Sequence, residues 1–271
     1  MKKGEDCYTV VTLENSFHGR TLTTLAATGQ ARYHELYRPL TPGFTSVPAN
    51  DIKALEKCFE ETAAAGFMIE CIQGEGGVLP LDGEYIQKAA ALCKEKDIPF
   101  IVDEVQTDNG RTGKLYSYMH FGVQPDIVST AKGLGGGLPI GAALLCEKLE
   151  NVFEKGDHGS TFGGNPVACA GALKVLSRLD ESFLAEVCEK GKLLREIFTG
   201  APGIEEVTGM GLMIGLKTKK PAAQVVSACL ARGVLCLTAK DKVRLLPALN
   251  IPTALLKEAA AVILEECAKE E

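Results

Sequence analysis

The chain has 271 residues, enough for one large domain or two modest ones, and its 46% hydrophobic and 24% charged residues are ordinary globular usage. A formal net charge of −6 excludes the basic footprint of a nucleic-acid or anionic-membrane binder, and no apolar run approaches the ~18 residues of a membrane span. Met1-Lys2-Lys3-Gly4-Glu5-Asp6 has no apolar stretch behind its lysines to make a secretory leader, and the ten cysteines form no C-x-x-C pair and sit singly in apolar stretches, as at Cys71, Cys146 and Cys236: reduced thiols of a cytosolic protein with no metal site.

In chain order, residues 8–13 read as a strand and 51–64 as a helix with Asp51 as its N-cap. Residues 67–71 read as a strand. The apolar spacing of Ile86, Ala89, Ala90 and Cys93 predicts a helix over 83–96. Three more strands follow at 100–103, 127–130 and 140–146. This strand–helix alternation predicts an α/β sheet, mostly parallel and covered on both faces. After Asn165-Pro166 the texture changes: helices over 166–179 and 182–198, a strand at 212–217, a helix over 222–232, strands at 234–237 and 243–246, and a helix over 253–269. The expected division is a large domain, 1–174, and a small α+β domain, 175–271.

Ligands on open α/β sheets bind beyond the carboxyl ends of the strands, so the polar residues after each apolar run carry the functional reading. Asp103-Glu104-Val105-Gln106 follows one such run. A carboxylate there needs a cation or donors against desolvation; a protonated pyridine nitrogen is one such cation, and a capping Asp is the bland alternative. Lys132 follows another strand and precedes four glycines within five residues. Glycines admit a bulky ligand close to the backbone, and a lysine desolvated in such a pocket is a nucleophilic amine; the alternative is a surface lysine in a flexible loop. The loop Asn15-Ser16-Phe17-His18-Gly19-Arg20-Thr21 offers an aromatic face, an imidazole and a guanidinium suited to carboxylates. The stretches around Glu75 and around Ser160 and Thr161 read alone as turns, and His120 and His158 as solvated histidines.

Taken in order, H-G-R-T, Q-G-E-G-G, D-E-V-Q, A-K-G and G-S-T-F-G-G-N-P, these clusters resemble the class III aminotransferases of fold type I along essentially the whole chain. The resemblance implies the PLP-transferase fold, a mostly parallel sheet of the seven-stranded type with an edge strand missing here, and pyridoxal 5′-phosphate (PLP) as cofactor. It implies that Lys132 bonds covalently to PLP and later shuttles the substrate proton, and that Asp103 pairs with the pyridinium nitrogen. Val105 and Phe17 are expected on the two ring faces, Gln106 at the ring hydroxyl, His18 and Ser160 among the cofactor-binding residues, and Thr161 at the phosphate across a homodimer interface. Arg244 is expected to bind the α-carboxylate of glutamate or 2-oxoglutarate, Glu75 to pair with that arginine and release it, and Arg20 to hold the carboxylate of the longer substrate. A dicarboxylate and a longer amino acid must share one pocket, which makes a switchable Arg–Glu pair useful.

Residues 13–21 and 131–142 look most like the N-acetylornithine subgroup, which moves an ω-amino group between N-acetylornithine and 2-oxoglutarate in arginine biosynthesis. Succinylornithine, 4-aminobutyrate and ornithine are the neighbouring substrates; an inactive remnant or an assembly subunit is the reading from another class. Three residues depart from the family pattern: Cys71 stands for a usual proline, Thr208 for a common arginine, and Asp108 for a usual glycine, adding charge and removing a position of positive φ. The family also carries an N-terminal segment with a phosphate-cradling serine-glycine motif. Without it the chain is expected to expose the strand at 140–146 as an aggregation-prone edge and to bind PLP weakly.

Overall fold

The computed structural model describes Gly4 and residues 6–269; Met1, Lys2, Lys3 and Glu5, read above for a leader, lie outside the described residues, as do Glu270 and Glu271. The elements are β1 (Thr9–Leu13), α1 (Leu22–Ala27), β2 (Phe44–Val47), α2 (Ile52–Glu61), β3 (Ala64–Ile69), β4 (Ile72–Gln73), β5 (Leu79–Pro80), α3 (Gly83–Glu95), β6 (Phe100–Asp103), β7 (Ile127–Thr130), β8 (Ala142–Leu145), α4 (Pro166–Leu176), α5 (Glu181–Phe198), β9 (Ile204–Met210), β10 (Met213–Thr218), α6 (Ala222–Ala231), β11 (Leu237–Ala239), β12 (Lys242–Leu245) and α7 (Thr253–Ala268). They form two compact units, one of residues 1–71, 81–109 and 117–178, the other of 72–80, 110–116 and 179–271.

The first unit is built on a six-stranded sheet in the order β2-β1-β3-β6-β7-β8. The first five strands run parallel and β8 runs antiparallel to β7. Parallel strands share one carboxyl edge, so residues 15–21 after β1, Glu70 after β3, Asp103 at the end of β6 and Lys132 after β7 all leave the sheet on the same side. Val11, Phe67, Ile69, Phe100 and Val102 pack against Leu55 and Phe59 of α2 and Ile86 and Ala89 of α3. Phe67 and Phe100 stack with centroids 6.3 Å apart and are buried, each contributing about 1.5–3 kcal/mol. The Asp51 carboxylate accepts from the Ala54 N–H at 3.0 Å, starting α2 as its sequence predicts. Asn165 caps α4 through Val167 and Ala168, with Pro166 in the first turn.

The second unit pairs an antiparallel sheet, β11-β12-β10-β9, with the short β4–β5 ribbon and helices α5, α6 and α7. Leu194, Phe198, Ile214, Leu216, Val225 and Ile263 are central to its core. The strand expected at 234–237 begins instead at Leu237. Val234 is still closing α6 through its N–H to the Cys229 carbonyl, 2.9 Å, beside Gly233 at φ 83, and Leu235 is exposed. β3 begins at Ala64, earlier than its weak Ala-Ala-Gly start suggests, because Gly66 lets the backbone lie against Ile101. Among the described residues no helix is long and apolar enough to cross a membrane, and no group of three or more His, Cys, Asp or Glu could hold a metal.

Candidate active site

Asp103 closes β6 and is buried. Its Oδ2 accepts from the His18 imidazole Nδ1 at 2.8 Å, and its Oδ1 accepts from the Val105 N–H at 3.1 Å and the Ser129 hydroxyl at 2.9 Å. Burial pushes this carboxyl up, but His18, Val105 and Ser129 together outweigh it and hold Asp103 below the ordinary carboxylate range. His18 is fixed in turn, its backbone N–H donating to the Thr28 hydroxyl at 2.9 Å, while its Nε2 is buried with no hydrogen-bond partner. The sequence placed His18 in the site; it gave no sign that His18 is the partner of Asp103, because 85 positions separate them.

Three of the roughly four acceptor sites of a carboxylate are occupied at Asp103, which leaves room for one more donor. An ionised, buried carboxylate with one acceptor position left fits a cationic ring N–H. Val105 and Gln106 follow it, both half-buried. Lys132 opens a 3-10 turn, Lys132–Gly135, directly after β7. It has φ 44 and its side chain is exposed, so the desolvation read from its glycine-rich setting is not supplied here: Gly133, Gly136 and Gly137 stand exposed beside it.

The structure overturns one expectation about Asp108. The left-handed positions are the next two, Asn109 (φ 53) and Gly110 (φ 89), so an aspartate at 108 removes no positive-φ residue. Asp108 is buried and its carboxyl, with desolvation the main cause, is pushed up to about 6. Glu104, which the sequence reading passed over, is fully buried and accepts from the Thr107 hydroxyl (2.6 Å), the Ser117 N–H (2.9 Å) and hydroxyl (2.7 Å) and the Tyr118 N–H (2.9 Å). Cys71 is buried in the same unit, and its thiol is raised far above its usual range by burial and then by Glu104, so it packs as an apolar group.

After β1, Phe17 is half-buried and its N–H donates to Glu70 at 2.8 Å. The exposed Arg20 guanidinium lies 5.4 Å from the Phe17 ring centroid and 4.5 Å from that of Tyr33, a residue the sequence did not flag. Ser160 and Thr161 are exposed in the loop leading into α4. In the second unit Arg244 of β12 is buried and its Nη1 donates to the Glu75 carboxylate at 2.6 Å. This is the pairing expected from two segments 169 positions apart. Thr208 accepts from the buried Lys242 amine at 3.1 Å, so the departure there is absorbed by a hydrogen bond.

A mostly parallel sheet with its polar clusters on one carboxyl edge, beside a small antiparallel unit, is the PLP-transferase type I fold of the solved aminotransferases this chain is similar to. Residues 1–266 match the family described as Aminotransferase class-III. The acetylornithine aminotransferase of Haemophilus ducreyi is 47% identical over 266 residues, 97% of this chain and 68% of that protein, and that of Aquifex aeolicus is 43% identical over 97% and 69%. Among solved structures, the ornithine aminotransferase of Toxoplasma gondii is similar with a TM-score of 0.91 at 33% identity, covering 98% of this chain and 65% of that one. The N-acetylornithine aminotransferase of Stenotrophomonas maltophilia gives 0.82 at 31% identity, covering 98% and 67%. The chain thus spans about two thirds of the length of these relatives. It belongs to the class-III aminotransferases.

Proposed function

We propose that the chain is a PLP-dependent aminotransferase that moves the ω-amino group of N-acetylornithine to 2-oxoglutarate. The observation that carries this reading is Asp103, a buried carboxylate kept ionised by His18, Val105 and Ser129 on the strand beside the one that delivers Lys132. The relatives named acetylornithine aminotransferase support the choice of substrate.

When bound, PLP supplies the electron sink for the substrate carbanion. Asp103 holds the proton on the ring nitrogen, with His18 keeping the carboxylate oriented. The Lys132 amine would hold the cofactor covalently and would then carry the proton at the substrate carbon. Phe17 and Val105 would pack against the ring, Gln106 would reach its hydroxyl, Ser160 would lie among the cofactor-binding residues, and Thr161 from the second subunit of a homodimer would hold the phosphate. Arg244 orients the α-carboxylate of 2-oxoglutarate, and Glu75 takes that guanidinium when the longer substrate is bound through Arg20. We assign 1–174 to the cofactor domain and 175–271 to the small domain, apart from 72–80 and 110–116, which pack in the unit of the small domain.

Borohydride reduction in the presence of PLP, followed by peptide mass spectrometry, is expected to fix the cofactor on Lys132. Label on another lysine sinks the assignment. N-acetylornithine is expected to exceed 4-aminobutyrate by about tenfold in kcat/KM, about 1.4 kcal/mol; equal turnover moves the chain to a neighbouring subgroup.

A further inference from the structure

The Asp108 carboxyl is buried in the first unit, and none of the roles above uses it. It hangs from a turn whose N–H groups, Thr107 at 2.9 Å and Asp108 at 2.7 Å, both donate to the Glu104 carbonyl. Glu104 is a fixed platform. Four donors hold its carboxylate, and its own N–H donates to the Ser129 carbonyl at 3.0 Å. From that platform Asp108 Oδ2 accepts from the Thr130 hydroxyl and from the Ala131 N–H, the latter at 3.0 Å. Asn109 donates from Nδ2 to the Ala131 carbonyl at 3.4 Å. Ala131 is therefore held at both its N–H and its C=O.

The next residue is Lys132, at φ 44. A residue with a β-carbon keeps a left-handed conformation only where its surroundings impose it. The sheet does not impose it, because the β7–β8 ladder ends at Thr130 opposite Ala142. Beyond that point Ala131 is held by Asp108, Asn109 and the Leu134 N–H, which donates to its carbonyl at 2.9 Å. We propose that Asp108 is the positioning residue of Lys132: its carboxylate fixes the Thr130–Ala131 junction and so imposes the backbone from which the lysine side chain departs. The functional weight of this rests on the reading of Lys132 as the cofactor lysine; the clamp itself does not.

The clamp has a built-in pH dependence. Desolvation raises the carboxyl to about 6 against the pull of Thr130, Asn109 and Ala131, and the charged group facing it is Glu104, which also raises it. Because desolvation outweighs those hydrogen bonds, an opening that hydrates the carboxyl is favoured once it is ionised, so the junction is held more firmly below about pH 6 than above it.

The test measures amide hydrogen exchange across 130–135 in the cofactor-free protein, as protection factors corrected for intrinsic rates, together with the rate of borohydride trapping after PLP is added. Asp108→Ala is expected to lower protection at Ala131 by at least about tenfold, with β1 and β3 unchanged, and to slow trapping on Lys132 by a similar factor. Asp108→Asn, a neutral acceptor of the same shape, is expected to give an intermediate protection that no longer changes between pH 5 and pH 8, whereas the parent protein loosens at Ala131 as pH rises through about 6. Unchanged protection in both variants, or a parent protein indifferent to pH at Ala131, overturns the proposal. If Asp108→Ala does not fold, Asp108→Asn and the pH series on the parent protein decide it alone. Exchange that responds as expected while borohydride labels a different lysine supports the clamp and instead removes the functional reading of Lys132.

Discussion

Two acid–base pairs of almost equal length behave differently because of what surrounds them. In the first unit His18 and Asp103 meet at 2.8 Å with side chains 0% and 8% exposed. In the second Arg244 and Glu75 meet at 2.6 Å, with 7% and 26% exposed. Asp103 has two further donors and His18 a backbone anchor, so separation leaves buried groups without partners. Glu75 is the more exposed partner, but Arg244 is buried, so the pair can open at modest cost only when another carboxylate takes the guanidinium. Distance alone does not tell a permanent pair from a switch; exposure and the supply of alternative partners do.

The largest expected effect comes from breaking the permanent pair. Asp103→Asn keeps the shape but removes the charge that faces His18 and, on the proposed reading, the ring nitrogen. Without that carboxylate to sustain the protonated ring, kcat is expected to fall at least about a hundredfold, about 2.7 kcal/mol, with a matching loss of PLP affinity. A fall of less than about tenfold in single-turnover kinetics means that Asp103 does not sustain the protonated ring.

The switchable pair is expected to answer more weakly and on a different parameter. Arg244→Lys keeps the charge but loses the forked donor, so KM for 2-oxoglutarate is expected to rise about tenfold with kcat for the amino-donor half-reaction nearly unchanged. Glu75→Gln removes the group that draws the guanidinium aside and is expected to raise KM for N-acetylornithine by a few fold, about 0.5–1 kcal/mol. If both substitutions lower kcat for both half-reactions alike, the pair is a fixed strut rather than a switch.

Much of this contrast was readable in the residues. The strands at 100–103 and 127–130 stand where their apolar runs place them, and the polar residues after them leave the sheet at one edge. β9 was missed because Ile204-Glu205-Glu206-Val207-Thr208-Gly209-Met210 has only a broken alternation; Gly209 sits at φ 104 with the Met213 carbonyl against it, where a β-carbon has no room. β2 was missed because its four residues follow a proline-rich turn. His18 with Asp103, and Asp108 with Ala131, are contacts across 85 and 23 positions, made by sheet order rather than by any local pattern. Residues 72–80 and 110–116 look in sequence like loops of the sheet they interrupt, yet they pack in the second unit, where Arg111 donates to the carbonyls of Leu212 and Pro247 at 3.1 and 2.6 Å.

Asp103 and Asp108, five positions apart, sharpen the comparison through pH. Asp103 is held below its ordinary 3.8, so its stabilising effect is present above that value and is lost as pH falls through and below it. Asp108 is pushed from 3.8 to about 6, so the folded state binds the extra proton and its ionisation destabilises. That cost is absent at low pH, grows between about 4 and 6, and levels off above, at about 3 kcal/mol for a shift of ~2 units at 1.36 kcal/mol each. The difference in unfolding free energy between the parent protein and Asp108→Asn, measured by urea titration, is expected to move in favour of Asn as pH rises from 4 to 6. A flat difference shows that Asp108 is not desolvated. The clamp on Lys132 thus operates where its carboxylate is least stable, the trade expected when a buried charge is kept for what it positions.

The smallest expected effect on stability lies at the sheet edge. β1, at the interior of the same sheet, ends in Val11, Thr12 and Leu13, all buried, whereas all four residues of β8 are exposed, Leu144 at 43% and Leu145 at 39%. An apolar edge strand presents unpaired N–H and C=O groups to any other strand, and a lysine on such an edge opposes that pairing. Leu144 is a little more than half covered in this chain, and the lysine stem keeps part of that contact, so unfolding is expected to change by about 1 kcal/mol, while self-association in sedimentation velocity decreases. A larger loss of stability that depends on protein concentration has a different meaning: β8 is then covered in the assembled protein, and the exposure of its four residues belongs to the single chain and not to the working enzyme.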